Sequence, residues 1–320
     1  MSHLFLLLLS AAVSMPAAQV LIRTTTGETM EGEASLAGLR IQTPGGPVTL
    51  KPASVLSIHN AAEASPEESA RIEAGFAAIS GADRKARDGA VEDLTSIGLP
   101  VLTPLLKTLK DTDQHEPRPL YRLFERIIPS YADDFDRTLS MVRLPNGEAL
   151  RGKLPEGSLE IRTSGGKQSI PWSKIRTLAV RQPIVRRAME VHSLKHCQQI
   201  EYLDTGVVLT ASSKVDSSAR GFARLSWNAD VWACDPDGLK KPAGGNYTSN
   251  LFDGQPFGAL IGRVGASGEV FFVGRKASKT GLPSGHLMLA VNDNRHWQNN
   301  LGTYYVTMTV TDAYDLTSAQ

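Results

Sequence analysis

The sequence predicts a mainly β, multidomain protein in which two small β-barrel or meander repeats flank a short helical domain and precede a C-terminal β-sandwich. Three observations predict this fold class. A segment of the first half recurs 120 residues later without a gap, the segment between the copies has a helical period, and the last third alternates apolar and polar residues between turn signals.

The repeat defines the first and third domains, 19–60 and 138–181. Residues 20–58 align with 140–178, and each copy contains strand-like runs separated by glycine turns, which is typical of a small antiparallel barrel or meander. The paired glycines at 45–46 and 165–166 provide the positive φ that tight hairpins need. The recurring residues are Arg23, Gly27, Glu28, Gly32, Leu39, Ile41, Thr43, Gly45 and Gly46, matched by Arg143, Gly147, Glu148, Gly152, Leu159, Ile161, Thr163, Gly165 and Gly166.

Between the copies, residues 64–137 are predicted to form a helical domain. Ser65, Pro66 and Glu68 form a capping box at the start of its first helix. Residues 88–109 resemble a HEAT-type helical repeat, a pair of helices with a proline-bearing turn, and a further helix is expected over 120–128. Such helices serve either as a spacer or as a surface for a protein partner.

The chain begins with an apolar run, LFLLLLSAAV, followed by small residues that suit cleavage before Gln19. We predict a signal peptide over 1–18, and hence a secreted or periplasmic bacterial protein with no membrane span after cleavage. The 34 Lys and Arg residues against 33 Asp and Glu give a net charge of +1. This balance argues against a dedicated nucleic-acid binder.

Residues 182–197 are predicted to form a linker helix, in which His192 and His196 are spaced by four residues. A metal site there is a weaker interpretation than a solvated helix, because no acidic ligand follows at a usable distance. The two cysteines, Cys197 and Cys234, could either pair in an oxidising compartment or remain free thiols.

The loop 292–300, NDNRHWQNN, gathers oxygen-bearing side chains between two strand-like runs. Hard cations such as calcium bind six to eight oxygens, and a single loop can provide several of them. Asp293, Asn299 and Asn300 are therefore candidate metal ligands. The other interpretation is that these residues are turn formers.

Three segments around this loop resemble the PA-IL-like family of bacterial calcium-dependent, galactose-binding lectins: GALIGRVG at 258–265, SGHLMLAVNDN at 284–294 and NNLGTYYVTMTV at 299–310. The resemblance implies a jelly-roll-like sandwich over 198–313. It also implies a Ca²⁺ ion held by the side chains of Asp293, Asn299 and Asn300 and by the carbonyls of His296 and Leu225. The sugar would be bound by Asp293, Asn294, Trp297 and Asn299.

The resemblance is incomplete at the sugar-contacting loop, since residues 237–257 contain neither the histidine nor the glutamine spacing of the family. A galactose-like carbohydrate is expected, but its identity stays open. The sequence thus predicts an exported, non-catalytic carbohydrate-binding protein that uses Ca²⁺. One alternative is a structural or protein-interaction scaffold with a degenerate lectin domain, and another is a hydrolase with an accessory sandwich, for which no catalytic residues are evident.

Overall fold

A computed structural model describes residues 17–61, 63–81, 83–111, 120, 123, 127, 138–197, 202–225, 233–239, 255–293 and 300–316. Within these residues the protein has seventeen β-strands and three α-helices, which confirms the mainly β, multidomain fold class. Most of the predicted signal peptide lies outside the described residues, and the first strand already begins at Ala18.

The two repeat copies each contribute five strands to the N-terminal part. The first copy forms β1 (Ala18–Thr24), β2 (Thr29–Ala34), β3 (Arg40–Thr43), β4 (Gly46–Thr49) and β5 (Ser57–His59). The second copy forms β6 (Ser140–Arg143), β7 (Ala149–Gly152), β8 (Ser158–Thr163), β9 (Gly166–Pro171) and β10 (Ile175–His192). Gly46 and Gly166 have φ values of 115° and 113°, as expected for their hairpins.

The copies do not fold as two independent barrels, because they exchange strands. In the first copy, β1 pairs with β10 and β2 pairs with β8. In the second copy, β6 pairs with β5, and Lys153, the residue after β7, forms an isolated bridge with Gln42 of β3. Strands β5 and β10 also pair, with Ile58 opposite Leu178. These two residues are repeat equivalents, so a local two-fold axis passes between them.

The repeated glycines Gly32 and Gly152 lie where the exchanged strands approach most closely. A β-carbon on Gly32 would be 2.5 Å from the Arg162 carbonyl oxygen, and one on Gly152 would be 2.6 Å from the Gln42 carbonyl oxygen. Both contacts are sterically forbidden, so the repeat retains glycine for the exchange rather than for a turn. One continuous core results, to which both copies contribute.

The helical insert contains α1 (Pro66–Ile79), α2 (Arg84–Ile97) and α3 (Leu102–Asp111). The predicted capping box is present at Ser65 and Glu68. Leu120, Leu123 and Ile127 of the predicted fourth helix are helical and buried, and they pack in the core of the insert. A turn at Gly98, with φ of 75°, separates α2 from α3. No helix in the described residues is long and apolar enough to cross a membrane.

A buried ion pair attaches the insert to the exchanged barrels. Glu68 of α1 and Arg176 of β10 are both 1% exposed, and the Arg176 Nε donates to Glu68 Oε1 over 2.9 Å. Arg176 also donates to the Asn60 carbonyl, while the Asn60 side chain donates to the Trp172 and Ile175 carbonyls. The start of the insert is thereby fixed to the strand that joins the two copies.

The predicted linker helix over 182–197 is wrong. Residues up to His192 continue β10, which pairs with β17 (Leu301–Asp315) from Arg181 to His192. Val185 and Val191 are buried in the sandwich core, whereas the intervening Arg186 and Glu190 face outward with the two-residue period of a strand. His192 and His196 therefore do not share a helix face; instead, the His192 amide donates to His196 Nδ1 over 3.1 Å.

The C-terminal sandwich thus begins inside β10, before the expected boundary at residue 198. Its remaining strands are β11 (Leu203–Arg224), β12 (Ala233–Cys234), β13 (Leu260–Val264), β14 (Phe271–Phe272), β15 (Lys276–Lys279) and β16 (Gly285–Val291). The hydrogen-bonded order is β14-β13-β16-β11-β17-β10, and β12 and β15 also pair with β11. A cluster of buried apolar side chains, including Tyr304 and Leu289, fills the interior.

Candidate functional site

The candidate site lies at one end of the sandwich, where β16 ends and β17 begins. Asp293 follows β16 by two residues, and Asn300 immediately precedes β17; each is 1% exposed. The Asn300 side-chain amide donates to Asp293 Oδ2. The structure therefore brings together two of the three side chains that the sequence nominated as metal ligands.

The Asn300 amide has a defined orientation. Its Nδ2 donates to the carbonyl of Ser193 over 3.0 Å and to the Asp293 carboxylate. Its Oδ1 is buried and has no hydrogen-bond partner among the described residues. A buried amide oxygen without a donor is costly, so this atom needs a partner that the described protein atoms do not supply. A cation is one such partner.

Strand register places Leu225 beside Asn300. Arg224 of β11 is opposite Leu301 of β17 in an antiparallel ladder. The next position on β11 is Leu225 and the preceding position on β17 is Asn300, so these two residues lie across from each other. The Leu225 side chain is buried in the sandwich core. The backbone at Leu225 therefore lies next to Asn300, and a role for its carbonyl as a metal ligand stays a prediction.

Asn292 anchors a neighbouring turn to this end of the sandwich. Its side-chain amide donates to the Pro256 carbonyl over 3.1 Å, and its carbonyl accepts from the Gly258 amide over 2.7 Å. Its own Oδ1 is, like that of Asn300, buried and without a partner in the described part of the chain. Gly258 has φ of 81°, and a β-carbon there would be 2.3 Å from the Cys234 Sγ. The turn therefore requires glycine.

Cys234 is a structural neighbour of the site. Both cysteines are buried free thiols, so the disulfide that the sequence left open does not form. Burial raises the pKa of the Cys234 thiol to about 11, with a lowering hydrogen bond from Tyr304 and smaller raising contributions from the charges of Asp235 and Asp293 included in this value. The Cys234 Sγ instead lies within hydrogen-bonding distance of the Ala223 carbonyl, at 3.6 Å, and of the Tyr304 hydroxyl, at 3.4 Å. Cys234 therefore packs beside the site, against the turn at Gly258.

The other nominated residues lie outside the described part of the chain. Asn294, His296, Trp297 and Asn299 all fall within 294–299. Their roles as carbohydrate contacts or metal ligands stay predictions. Among the residues that the structure describes, no group of three or more His, Cys, Asp or Glu side chains gathers to hold a metal.

Ser193 is the site residue that sequence reasoning missed. It is fully buried after the end of β10, and its amide and hydroxyl both donate to the Gly302 carbonyl, over 3.1 and 3.0 Å. Its carbonyl can therefore hold the Asn300 amide in place. Since 107 residues separate Ser193 from Asn300, no local pattern in the sequence indicates this contact.

The donor set fits a hard cation. It comprises the buried carboxylate of Asp293 and the Asn300 Oδ1, which has no partner among the described residues; both are oxygen donors of the kind that calcium prefers.

No protein-family model matches the chain, and no curated protein matches it. Among solved structures, the chain is similar to the N-terminal domain of EclA, a PllA-like lectin, with 23% sequence identity and a TM-score of 0.30 over 39% of this chain and 96% of that one.

Proposed function

We propose that this protein is an exported, non-catalytic carbohydrate-binding protein whose C-terminal sandwich binds a sugar through Ca²⁺. The observation that carries the proposal is the buried pair of Asp293 and Asn300, in which Asn300 Oδ1 has no partner among the described residues. The sequence resemblance to the PA-IL-like lectins nominates the same two side chains independently of this geometry.

Asp293 and Asn300 would hold the cation together with the Leu225 carbonyl, and Asn299 and the His296 carbonyl complete the proposed set. A bound Ca²⁺ would supply open coordination positions that neighbouring sugar hydroxyls can fill in place of water. The protein's own contribution is orientation, because the Ser193 carbonyl fixes the Asn300 amide. Trp297 is proposed to lie against the apolar face of the sugar.

Titration calorimetry of the full chain tests the proposal. We expect Ca²⁺ to bind with measurable heat, and a galactose-containing member of a simple-sugar panel to bind in the presence of Ca²⁺ but not of a chelator. Saturating Ca²⁺ should also raise the melting temperature, because a ligand at a hundred times its Kd stabilises the folded state by about 2.7 kcal/mol. If no Ca²⁺ binds, the mechanism is wrong.

Asp293→Asn is the decisive variant because it removes the carboxylate charge with little change in shape. We expect it to abolish both Ca²⁺ and sugar binding. Glu269→Gln removes an exposed carboxylate elsewhere on the sandwich and should bind both ligands normally. If Asp293→Asn melts like the wild type in chelator and still binds Ca²⁺, then Asp293 is not a ligand.

Export is proposed from the N-terminal apolar run. Expression with the native N-terminus in a bacterial host, followed by fractionation and N-terminal sequencing, should find the mature protein outside the cytoplasm beginning near Gln19. Recovery of the uncleaved chain in the cytoplasm would contradict this part of the proposal. The result is independent of the calcium titration.

An apolar patch favours the second candidate, a protein-interaction scaffold. Phe222, Leu301 and Tyr305 are 55%, 50% and 48% exposed, and strand register places them near one another on the outer face of the sandwich. Exposed large apolar groups that cluster often mark protein contacts. This candidate predicts a partner that stays bound in chelator, together with no heat from Ca²⁺ or sugar.

A further inference from the structure

The outer face of the sandwich contains a groove away from the calcium site. Four strands cross it in the order β10, β17, β11 and β15. Two adjacent rungs of paired residues form its floor: Arg186, Thr309, Asp216 and Ser278 in one, and Ala188, Thr307, Ser218 and Lys276 in the other. The groove is shallow and open to solvent, with a volume of about 590 Å³.

The middle of this groove is lined by small polar side chains. The Ser218 and Thr307 hydroxyls are hydrogen-bonded to each other over 2.8 Å, and Thr309 lies on the next rung. Threonine presents both a hydroxyl and a methyl group. Such a surface can accept hydrogen bonds and also contact carbon-bound hydrogens, as a saccharide requires.

Two cationic residues, Arg186 and Lys276, lie at opposite corners of the groove floor. Arg186 is on β10 and Lys276 is on β15, so three strand spacings, about 14 Å, separate their strands. Both are exposed, and neither makes an ion pair within the described residues. The carboxylate between them, Asp216, is already paired with Lys214 over 2.8 Å. The corners are therefore available to negative charges on a ligand that is several sugar units long.

We propose that this groove is a second binding site, for an acidic oligosaccharide whose carboxylates pair with Arg186 and Lys276. Uronic-acid units combine the two required features, a carboxylate on the sugar and hydroxyls that can bond to Ser218, Thr307 and Thr309. The guanidinium of Arg186 suits a carboxylate because it can donate two parallel hydrogen bonds. This site needs no metal, so the proposal does not rest on the calcium site.

A saccharide fits this face better than a nucleic acid or a protein. Binding of single-stranded nucleic acid combines a track of cations with stacked aromatic rings, whereas the two rungs contain no aromatic residue. Protein interfaces have apolar, often aromatic centres. The apolar patch of Phe222, Leu301 and Tyr305 lies beyond these two rungs.

Titration calorimetry with the full chain in chelator tests the site while calcium binding is switched off. The probes are trigalacturonate and its fully methyl-esterified form, which has the same hydroxyls but no carboxylates. We expect trigalacturonate to bind and the ester to bind at least about tenfold more weakly, since each charge-assisted hydrogen bond contributes strongly. Asp293→Asn should bind trigalacturonate like the wild type, which separates this result from failure of the proposed lectin function.

The double variant Arg186→Gln, Lys276→Gln should lose at least about tenfold in affinity for trigalacturonate. Its matched control is Arg40→Gln, Lys153→Gln, which removes the same charge from exposed positions on the barrels and should bind normally. No binding by the wild type, an equal loss in the control, or equally tight binding of a single-stranded oligonucleotide of the same charge would each overturn the proposal.

Discussion

The buried ion pair between Glu68 and Arg176 gives the sharpest prediction about how the chain is held together. Each side chain is 1% exposed, so removal of either partner leaves a charge in a site that water does not reach. Breaking such a pair typically costs about 3–5 kcal/mol. Since Arg176 also donates to the carbonyls of Asn60 and Glu63, we expect Arg176→Met to lose about 3 kcal/mol of unfolding free energy.

Glu68→Leu should cost about 1 kcal/mol more, because the carboxylate also accepts from the Ser65 amide in the capping box. The double variant should lose much less unfolding free energy than the two single variants lose together, because it buries no unpaired charge. We therefore expect a coupling energy of about 3 kcal/mol between the two positions.

Urea denaturation of the four proteins in this double-mutant cycle, followed by the helical circular-dichroism signal and tryptophan fluorescence, measures the coupling. The control pair is Arg71 and Asp93 in the same insert, whose side chains are 27% and 39% exposed. An exposed pair contributes about 1 kcal/mol or less, so Asp93→Asn should have a small effect. Additive losses at Glu68 and Arg176 would refute the reasoning.

Three further predictions concern the exchanged barrels. Burial, together with the charge of nearby Arg143, lowers the pKa of His59 to about 4. The unfolded state therefore binds more protons between pH 6.5 and 4, and stability should fall by at most about 3 kcal/mol as the pH is lowered through that range. Denaturation of His59→Gln should lack this pH dependence. Gly152→Ala should lower the melting temperature markedly, whereas Gly45→Ala, whose β-carbon meets no atom closer than 3.8 Å, should not. A fragment of residues 138–320 should show no cooperative barrel unfolding by calorimetry, because β10 loses β1 and β5; a cooperative transition matching that of the full chain would contradict the exchange.

Much of the local structure could be predicted from the sequence, because local chemistry determines it. The capping box at Ser65 and the hairpin glycines Gly46 and Gly166 are present as expected. The strands around the candidate site are also present, and they bring Asp293 and Asn300 together at one end of the sandwich. In each of these cases the deciding interactions lie within a few residues of one another or at the ends of strongly patterned strands.

The exchange of strands could not be predicted from the repeat. The two copies have the same pattern, so pairing within a copy and pairing between copies bury the same kinds of side chain. Gly32 and Gly152 were the one available signal, since neither has the positive φ of a turn and both lie within strands. A glycine inside a strand indicates a close approach of another backbone, but it does not identify which strand approaches.

The linker helix was mispredicted because Arg187 interrupts the apolar alternation of β10. Its guanidinium lies on the inward-facing register yet pairs with Asp315, which comes 128 residues later and is 5% exposed. If the pairing with Asp315 is not known, the second half of β10 has polar residues on both faces. The spacing of His192 and His196 then favours a helix, although Pro183 is unfavourable inside a helix and the β-branched Ile184, Val185 and Val191 suit a strand.

Continuity of β10 determines how the candidate site is placed in the molecule. The strand runs for 18 residues, about 60 Å, from the insert's anchor near Arg176 to His192, one residue before the Ser193 carbonyl that orients Asn300. At the junction, Tyr314 donates to Glu31 over 2.6 Å, and Arg181 is paired with Asp312. A paired strand, rather than a flexible linker, therefore connects the barrels to the sandwich. If the site binds the proposed ligand, that ligand would therefore be held in a fixed direction relative to the barrels and their helical insert.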